Sequence, residues 1–168
     1  MPLVISDSST LIHLAKIDRL ALLKEFFGVI TVPPAVWQEV VEEGKGRPGA
    51  TDVTAARDAG WIQIRKPTDM RLLRILKSEL DKGESEALTL AVEVHADLLL
   101  IDESEGRRIA KIYDIPKTGV VGILMRAKRE GLIESFSHEL DRLRNEGGFW
   151  IADTLYSKAI AGVGEKAD

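Results

Sequence analysis

Two short apolar segments of this chain each run into an aspartate, and they constrain the fold more than any other feature. LVIS (3–6) precedes Asp7, and DLLLI (97–101) precedes Asp102. Apolar runs of this length without alternation are typical of strands buried on both faces of a sheet. Such strands occur mainly in α/β proteins with parallel sheets, whose ligands bind beyond the carboxyl ends of the strands. Both aspartates are therefore expected at that edge.

The rest of the chain alternates in the same way. Further strands are predicted at 29–32 and 61–65, with a turn and a short strand within 114–119 and a short edge strand at 149–152. Helices are predicted at 8–17, 19–27, 35–44, 51–60, 70–80, 84–96, 105–113, 120–131, 137–147 and 153–161. We therefore expect an α/β fold with a mainly parallel central sheet and helices on both faces.

Composition narrows the class of protein. The 168 residues suffice for one domain with a substantial core, and the absence of cysteine excludes disulfides and thiolate metal sites. A net charge of −4 argues against broad, charge-driven nucleic-acid binding, but it is compatible with an enzyme that uses metal ions and a local basic patch. The sequence shows no membrane-length apolar run and no basic segment before the first apolar run, which favours a cytoplasmic protein. Many charges with few Asn and Gln suggest a thermophilic source.

Asp7 has a simple structural interpretation, because an Asp before Ser8, Ser9 and Thr10 is a good helix N-cap. The matching acid after the second apolar run makes capping alone a less complete explanation. A hydroxyl beside Asp7, on Ser9 or Thr10, is expected to hydrogen-bond a ligand carboxylate, or to hold a metal-bound water or a phosphate oxygen.

Two glutamates on predicted helices extend this pattern. Glu39 lies in AVWQEVV, where it either faces inward or shares an exposed face with Glu42 and Glu43; Glu86 lies in the first turn predicted for its helix, where the helix dipole also favours an acid. If both converge with the two strand-end aspartates, the carboxylates either protonate or bind cations. All-oxygen ligands suit Mg²⁺ or Mn²⁺, which can activate a water and stabilise charge on a phosphodiester.

Four segments resemble the PIN-domain ribonucleases, particularly their prokaryotic toxin-like branch. They are VISDSSTLIHLAKI, VPPAVWQEVV, GESEALTLAVEVHADLLLIDESEGRRIA and KTGVVGILMRAKREGLI, within residues 3–133. The resemblance implies a three-layer α/β/α PIN-like fold, Mg²⁺ or Mn²⁺ as cofactor, RNA as substrate, an antitoxin protein as partner and a homodimer. It implies one domain over 1–168, with 134–168 as a C-terminal extension.

The same resemblance implies the catalytic and metal-binding residues, which are Asp7, Glu39, Glu86 and Asp102. The third acid of the family is usually Asp, so Glu86 departs from the pattern and Glu84 is its rival. Beyond the fourth acid, Glu105 is favoured over Glu103 as a helper. Residues expected to contact the substrate are Ser9, Thr10, Arg107, Arg108, Lys111 and Thr118. The basic ones can equally form a solvated helix face paired with acids.

Other classes remain open. A PIN-like module that has lost catalysis and binds RNA or protein fits the same segments, and so does a phosphotransfer or phosphatase enzyme on an α/β fold. A haloacid-dehalogenase phosphatase needs a second Asp where Ser9 stands, and a response-regulator receiver needs an Asp that WIQIR (61–65) lacks. GKGRPG (44–49) matches GxGxxG but follows a predicted helix instead of a strand, so it does not indicate a dinucleotide site, and GxxxxGK[ST] is absent. The three Trp are expected in the core or an interface, with no base-stacking platform evident.

Overall fold

A computed structural model describes residues 2–165 and shows one five-stranded sheet with all strands parallel, in the order β3-β2-β1-β4-β5. The strands are β1 (Val4–Ser6), β2 (Ile30–Val32), β3 (Ile62–Ile64), β4 (Leu98–Leu100) and β5 (Lys117–Thr118). The helices are α1 (Ser8–Lys16), α2 (Ala21–Phe27), α3 (Pro34–Trp37), α4 (Ala50–Asp58), α5 (Met70–Leu76), α6 (Lys82–Glu93), α7 (Ser104–Ile112), α8 (Val120–Arg129), α9 (Phe136–Asn145) and α10 (Asp153–Gly162). A π-helical segment, Gln38–Glu42, continues α3. The expected α/β fold is confirmed.

Two apolar cores lie on opposite faces of the sheet. Val4 and Leu100 point into the core formed with α1, α2, α8 and α9, whereas Ile5 and Leu99 point into the core formed with α5, α6 and α7. Neighbouring residues of one strand alternate between the two cores because successive side chains of a strand point to opposite faces. Burial on both faces explains why these strands lack polar alternation in the sequence.

The strand order reverses between β1 and β4. The two strands pair in parallel, with Ser6 opposite Leu100, and the Asp7 amide extends the ladder by donating to the Leu100 carbonyl at 2.9 Å. In open α/β sheets the crevice beyond the carboxyl ends of strands at such a switch point is the usual ligand site. Asp7 and Asp102 both follow strands at this point, as predicted.

Several predicted elements differ from the structure. The segment 149–152 contains no strand, because it is held by side-chain and loop contacts outside the sheet rather than by a neighbouring strand. Helix α6 begins at Lys82, two residues before its predicted start, since Asp81 caps it by accepting from the Glu84 amide at 2.8 Å. The helix predicted at 35–44 changes to π-helical geometry from Gln38.

The segment after residue 133 packs onto the α1, α2 and α8 side of the sheet. Buried Glu139 of α9 forms an ion pair with Arg19 at 2.7 Å, and both carboxylate oxygens of Glu165 accept amide hydrogen bonds at the start of α9. These contacts attach α9 and the last described residue to the body of the fold. None of the helices between residues 2 and 165 is long and apolar enough to cross a bilayer.

Candidate active site

Thr10 connects the two strand-end aspartates. Its amide donates to Oδ1 of Asp7 at 2.9 Å, and its hydroxyl donates to Oδ2 of Asp102 at 2.8 Å. The second oxygen of Asp7 accepts from the Asp102 amide at 3.3 Å, and the second oxygen of Asp102 accepts from the Val120 amide at 3.0 Å. Asp7 is thus both the N-cap of α1 and part of a two-carboxylate unit, so the two interpretations of its sequence position hold together.

Asp7 is almost fully buried, with 1% of its surface exposed. Burial, followed by the negative charge of Asp102, raises the pKa of Asp7 to about 7, against the opposing hydrogen bonds from Thr10 and the Asp102 amide. Near neutral pH this carboxyl is therefore balanced between its two protonation states. A cation bound nearby would favour the charged state.

Glu84, near the start of α6, is also electrostatically coupled to this unit. The pKa of Glu84 is raised to about 8, chiefly by burial. Its hydrogen bond to Asp81 and the charges of Asp81, Glu103 and Asp7 raise it further. The charge of Asp7 reaches Glu84, whose Oε2 lies 3.2 Å from the position of a Cβ built on Gly106 in the first turn of α7. The glutamate considered in the sequence only as a rival therefore lies beside the site.

Glu39 approaches from the π-helical segment. Its Oε2 accepts from the Ser8 hydroxyl at 2.9 Å, and a Cβ added at Gly83 would lie 2.8 Å from the same oxygen, so only glycine permits this close approach. Burial raises the pKa of Glu39, the Ser8 hydrogen bond lowers it, and Asp81 raises it further. Local π-helical geometry is frequent at functional sites, where it changes the direction of a side chain.

These interactions order five carboxylates, which we call the acidic row, along the crevice between α6 and the strand ends. Its members are Asp102, Asp7, Glu84, Asp81 and Glu39. The charge of Asp102 raises the pKa of Asp7, and the charge of Asp81 raises the pKa of both Glu84 and Glu39. Such repulsion costs the fold stability and is typical of functional sites.

Glu86 occupies a different position. Its Oε1 accepts from the Ala35 amide in the first turn of α3 at 3.0 Å, and the residue is buried. Glu84 and Glu86 are two residues apart and project about 200° apart around α6, so the helix cannot direct both toward Asp7 in the same way. In this structure Glu86 connects α6 to the helix that carries Glu39.

The other predicted residues divide between the crevice and the outer surface. Arg107 donates to the Ile101 carbonyl at 3.1 Å, and Arg107 and Thr118 both line a cavity that opens beside Asp102, while Ser9 is half-buried next to the cap. Arg108 instead pairs with Glu105 at 3.2 Å on the exposed side of α7, where Lys111 also lies.

That placement also bears on the choice between the two acids after Asp102. Glu105 is occupied by Arg108 on the surface, whereas Glu103 lines the cavity and acts electrostatically on Glu84. The choice of Glu105 as a helper stays a prediction: both acids are exposed, and Glu103, the N-cap residue of α7, is the one that lines the cavity.

Sequence reasoning did not single out Ser8, Asp81 and two glycines. The sequence feature that could have identified Asp81 is its position directly before the helix that contains GES, where an Asp is a good N-cap. A Cβ at Gly119 would collide with Oδ1 of Asp102, and Gly83 keeps the space beside Glu39 open. The presence of a glycine at these positions is the sequence feature that indicates how closely a carboxylate approaches the backbone there.

The donor chemistry of this crevice fits a hard divalent cation. Carboxylate oxygens are the ligands that Mg²⁺ and Mn²⁺ prefer, and glycines leave room at Asp102 and Glu39. Among residues 2–165, however, no three Asp, Glu or His side chains are arranged as a ready ligand group. Their oxygens instead accept hydrogen bonds from Thr10, Ser8 and Val120, so ligation requires the carboxylates to exchange some of these partners.

A three-layer α/β/α fold with acids beyond the ends of β1 and β4 defines the class of PIN domains. Residues 3–165 match the family model of DUF3368, a PIN domain, and the chain belongs to this family. The match continues past residue 133 and includes α9 and α10. PIN domains are generally nucleases that act on RNA and use divalent metal ions. No curated protein matches the chain.

Proposed function

We propose that this protein is a Mg²⁺- or Mn²⁺-dependent endoribonuclease that hydrolyses RNA phosphodiester bonds. The observation that carries the proposal is the acidic row at the β1–β4 switch point, where buried Asp7 is joined to Asp102 through Thr10 and the Asp102 amide. A fold gains little from such repulsion, so a cation-binding function is its best explanation. Family membership supports the nuclease class.

Asp7, Asp102 and Glu84 are the residues that we propose to hold the metal, with Glu39 completing the set from the π-helical segment after α3. A bound divalent ion supplies an activated water and stabilises negative charge on the phosphodiester. Thr10 holds the two aspartates in register through its amide and hydroxyl. Glu86, which the family pattern assigns to the metal, positions the Glu39 helix in this proposal.

We propose that the substrate is contacted by side chains that line the cavity beside Asp102, and not by a broad basic surface. Arg107 offers a guanidinium within the cavity beside Asp102, and Thr118 and Ser9 offer hydroxyls near the strand ends. Arg108 and Lys111 extend the positive charge along α7 for phosphates farther from the cut. A chain of net charge −4 depends on such local contacts.

The cellular function that we propose is that of the toxin in a toxin–antitoxin pair, acting in the cytoplasm as a homodimer and restrained by a cognate antitoxin. This rests on the resemblance of the sequence to the toxin-like branch. A gene for a small acidic or DNA-binding protein next to this one is the expected genomic arrangement, and its absence would count against this function but not against the nuclease.

A second candidate function is a PIN module that binds RNA or protein without cleavage. One observation favours it, namely that the carboxylates have protein hydrogen-bond donors and no ready ligand group exists within residues 2–165. A phosphatase has no comparable support, since Ser9 stands where the phosphatase motif needs an Asp.

The test is a cleavage assay on mixed single-stranded and structured RNAs with Mg²⁺, Mn²⁺ or EDTA, comparing the native chain with Asp7→Asn and Asp102→Asn. We expect internal cleavage with either metal, none with EDTA, and a loss of at least 100-fold in each variant. Glu130→Gln, in an exposed ion pair of α8, is the matched control and should cleave normally. Cleavage that survives both Asp substitutions, or RNA binding with no cleavage by the native chain, would overturn the proposal.

A further inference from the structure

A cavity of about 780 Å³ lies directly beside Asp102, on the side away from Glu39. Its floor carries Asp102, Glu103 and Arg107, and its far wall is built from the segment 148–155 that precedes and begins α10. The segment after residue 133 therefore forms part of the crevice, although sequence analysis gave it no function. The cavity is continuous with the proposed catalytic residues because Asp102 belongs to both.

Trp150 stands at the lip of this cavity with 83% of its surface exposed. Its segment is not loosely held: the Phe149 amide donates to the Leu143 carbonyl at 3.0 Å, and the Ile151 carbonyl accepts from Arg144 at 3.0 Å. Ile151 is buried, so the chain enters the core immediately after the exposed indole. A fixed backbone that presents a large aromatic ring to solvent gives the fold no apolar burial at that position.

His13 connects this wall to the carboxylates. Its ring packs edge-to-face on Phe149, with centroids 4.8 Å apart, and Asp102 acts on it electrostatically. Its Nδ1 is buried with no hydrogen-bond partner among the described residues. The Ser9 backbone raises the pKa of His13 but makes no hydrogen bond to the ring that meets the geometric limits. Burial lowers the pKa of His13, which keeps the ring neutral near pH 7. The cavity thus offers aromatic faces at one end and the candidate metal ligands at the other.

We propose that this cavity is a nucleobase subsite, in which an unpaired base of the RNA stacks on Trp150 while Arg107 contacts a neighbouring phosphate. The inference rests on the proposed ribonuclease function and adds a specific contact to it, namely a base next to the cut that is held on Trp150. Bases stack on aromatic side chains irrespective of sequence, and an unpaired strand can present one where a duplex cannot.

The chemistry of the cavity favours a nucleotide over a protein segment. A docked amphipathic helix needs apolar anchors in a row, but here Trp150 and Leu155 lie at one wall and the floor is charged. Asp102 and Glu103 repel acidic ligands unless a cation lies between, and the proposed metal supplies that cation at the point where a phosphate must bind. An aromatic face, a guanidinium and a cation-binding edge together complement base and phosphate.

The experiment measures binding of an eight-nucleotide single-stranded RNA in Ca²⁺, which suits the oxygen ligands, with Mg²⁺ and Mn²⁺ left out to limit cleavage. A series of oligonucleotides carries one abasic site at each successive position. For the native chain we expect one position at which base removal weakens binding about 10-fold. Trp150→Ala should weaken binding of the intact RNA by the same factor and remove the sensitivity to that position, while Trp150→Phe should retain it. Ile75→Ala, which truncates another exposed apolar residue, on α5, is the control and should bind normally.

The outcomes separate this inference from the function on which it rests. If Trp150→Ala binds the intact RNA as well as the native chain, or keeps the abasic-site sensitivity, the base subsite is wrong even when Asp7→Asn still abolishes cleavage. If the native chain neither binds nor cleaves RNA, the proposed function fails and the subsite with it. If Trp150→Ala cleaves normally but loses binding of a partner protein, the wall is a protein interface and the subsite is also wrong.

Discussion

The main-chain amide of Asp102 donates to the side chain of Asp7 at 3.3 Å, across the pair of strands where the sheet order reverses. This bond fixes the relation between two acids that are 95 positions apart in the sequence. The parallel register of β1 and β4 places them side by side, and Thr10 then fixes both carboxylates. The candidate site is therefore a consequence of sheet topology refined by one threonine.

Thr10→Val tests the role of that threonine. Valine has a similar shape and keeps the main-chain amide that donates to Asp7, but its side chain cannot donate to Asp102. We expect a loss of about 1–2 kcal/mol in the free energy of unfolding, because Asp102 loses a buried donor, and at least 10-fold lower RNA cleavage. Thr10→Ser keeps the hydroxyl and should retain most of the activity. Equal activity of the Val and native chains would show that Thr10 does not position Asp102.

The stability of the metal-free protein should fall as the pH rises. The pKa of Asp7 is about 7 in the folded chain and near 3.8 when unfolded, so the folded state holds the proton that the unfolded state has released. Between about pH 4 and pH 7 this lowers the free energy of unfolding by up to about 4 kcal/mol, and Glu84, whose pKa is raised to about 8, adds to the loss up to about pH 8. Chemical denaturation at pH 5, 6, 7 and 8 measures it.

Asp7→Asn is the control, since it removes one of the two titrating groups and should leave only the part of this dependence that is due to Glu84. Millimolar Mn²⁺ should restore stability to the native chain more at pH 8 than at pH 5, because it binds the charged carboxylate. A native chain whose stability is constant from pH 5 to pH 7 would contradict the placement of a buried, charge-coupled Asp7.

Glu84→Gln and Glu86→Gln should behave differently. Glu84 lies in the acidic row, so its neutral variant should cleave RNA at least 100-fold more slowly while folding as stably as the native chain or better. Glu86→Gln alters the partner of the Ala35 amide, and we expect it to unfold about 1 kcal/mol more easily with a smaller loss of activity. The reverse ranking of cleavage rates would return the third metal position to Glu86, as the family pattern implies.

Glu165→Gln tests how the C-terminal segment is held. Partial burial alone would raise the pKa of Glu165, but amide hydrogen bonds from Ser137 and Phe136, together with Lys128, lower it to about 2. A lowered pKa adds stability above the unfolded value near 4.5, and that stability is lost as the pH falls toward 2. The variant should therefore melt lower than the native chain at pH 7, with the difference shrinking below pH 4.5.

Glu130→Gln removes an exposed ion pair with Arg126 and should change the melting temperature little. If the Glu165 variant behaves like this control at pH 7, the last described residue does not stabilise α9.

The strands of the sheet could be predicted because short, local stretches of the sequence identify them. Unbroken apolar runs such as 3–6 identify buried strands, and the helices between them require parallel connections. The prediction of an edge strand at 149–152 rested on the strand-like composition of FWIA and is wrong. Hydrogen bonds to Leu143 and Arg144 hold this segment in a loop. Composition cannot distinguish these cases, since the choice depends on contacts across the tertiary structure.

The site was predictable only in part. Strand ends placed Asp7 and Asp102 correctly, since topology alone determines where they lie. The helix-borne acids were harder, because the direction of a side chain depends on where its helix begins and how it is rotated. Glu86 accepts from the Ala35 amide, whereas Glu84, about 200° away around α6, does not face that amide, and neither direction can be deduced from the sequence.

The central claim, that the acidic row is a divalent-metal centre, is tested most directly by titrating Mn²⁺ into the metal-free protein at pH 8 by calorimetry. The native chain should bind with a defined stoichiometry of one or two ions and release protons, because Glu84, whose pKa is about 8, gives up its proton on ligation. Asp7→Asn and Glu84→Gln should each bind at least 10-fold more weakly, while Glu130→Gln binds like the native chain. Mn²⁺ binding that is absent from the native chain, or unchanged in both acidic-row variants, would contradict the account.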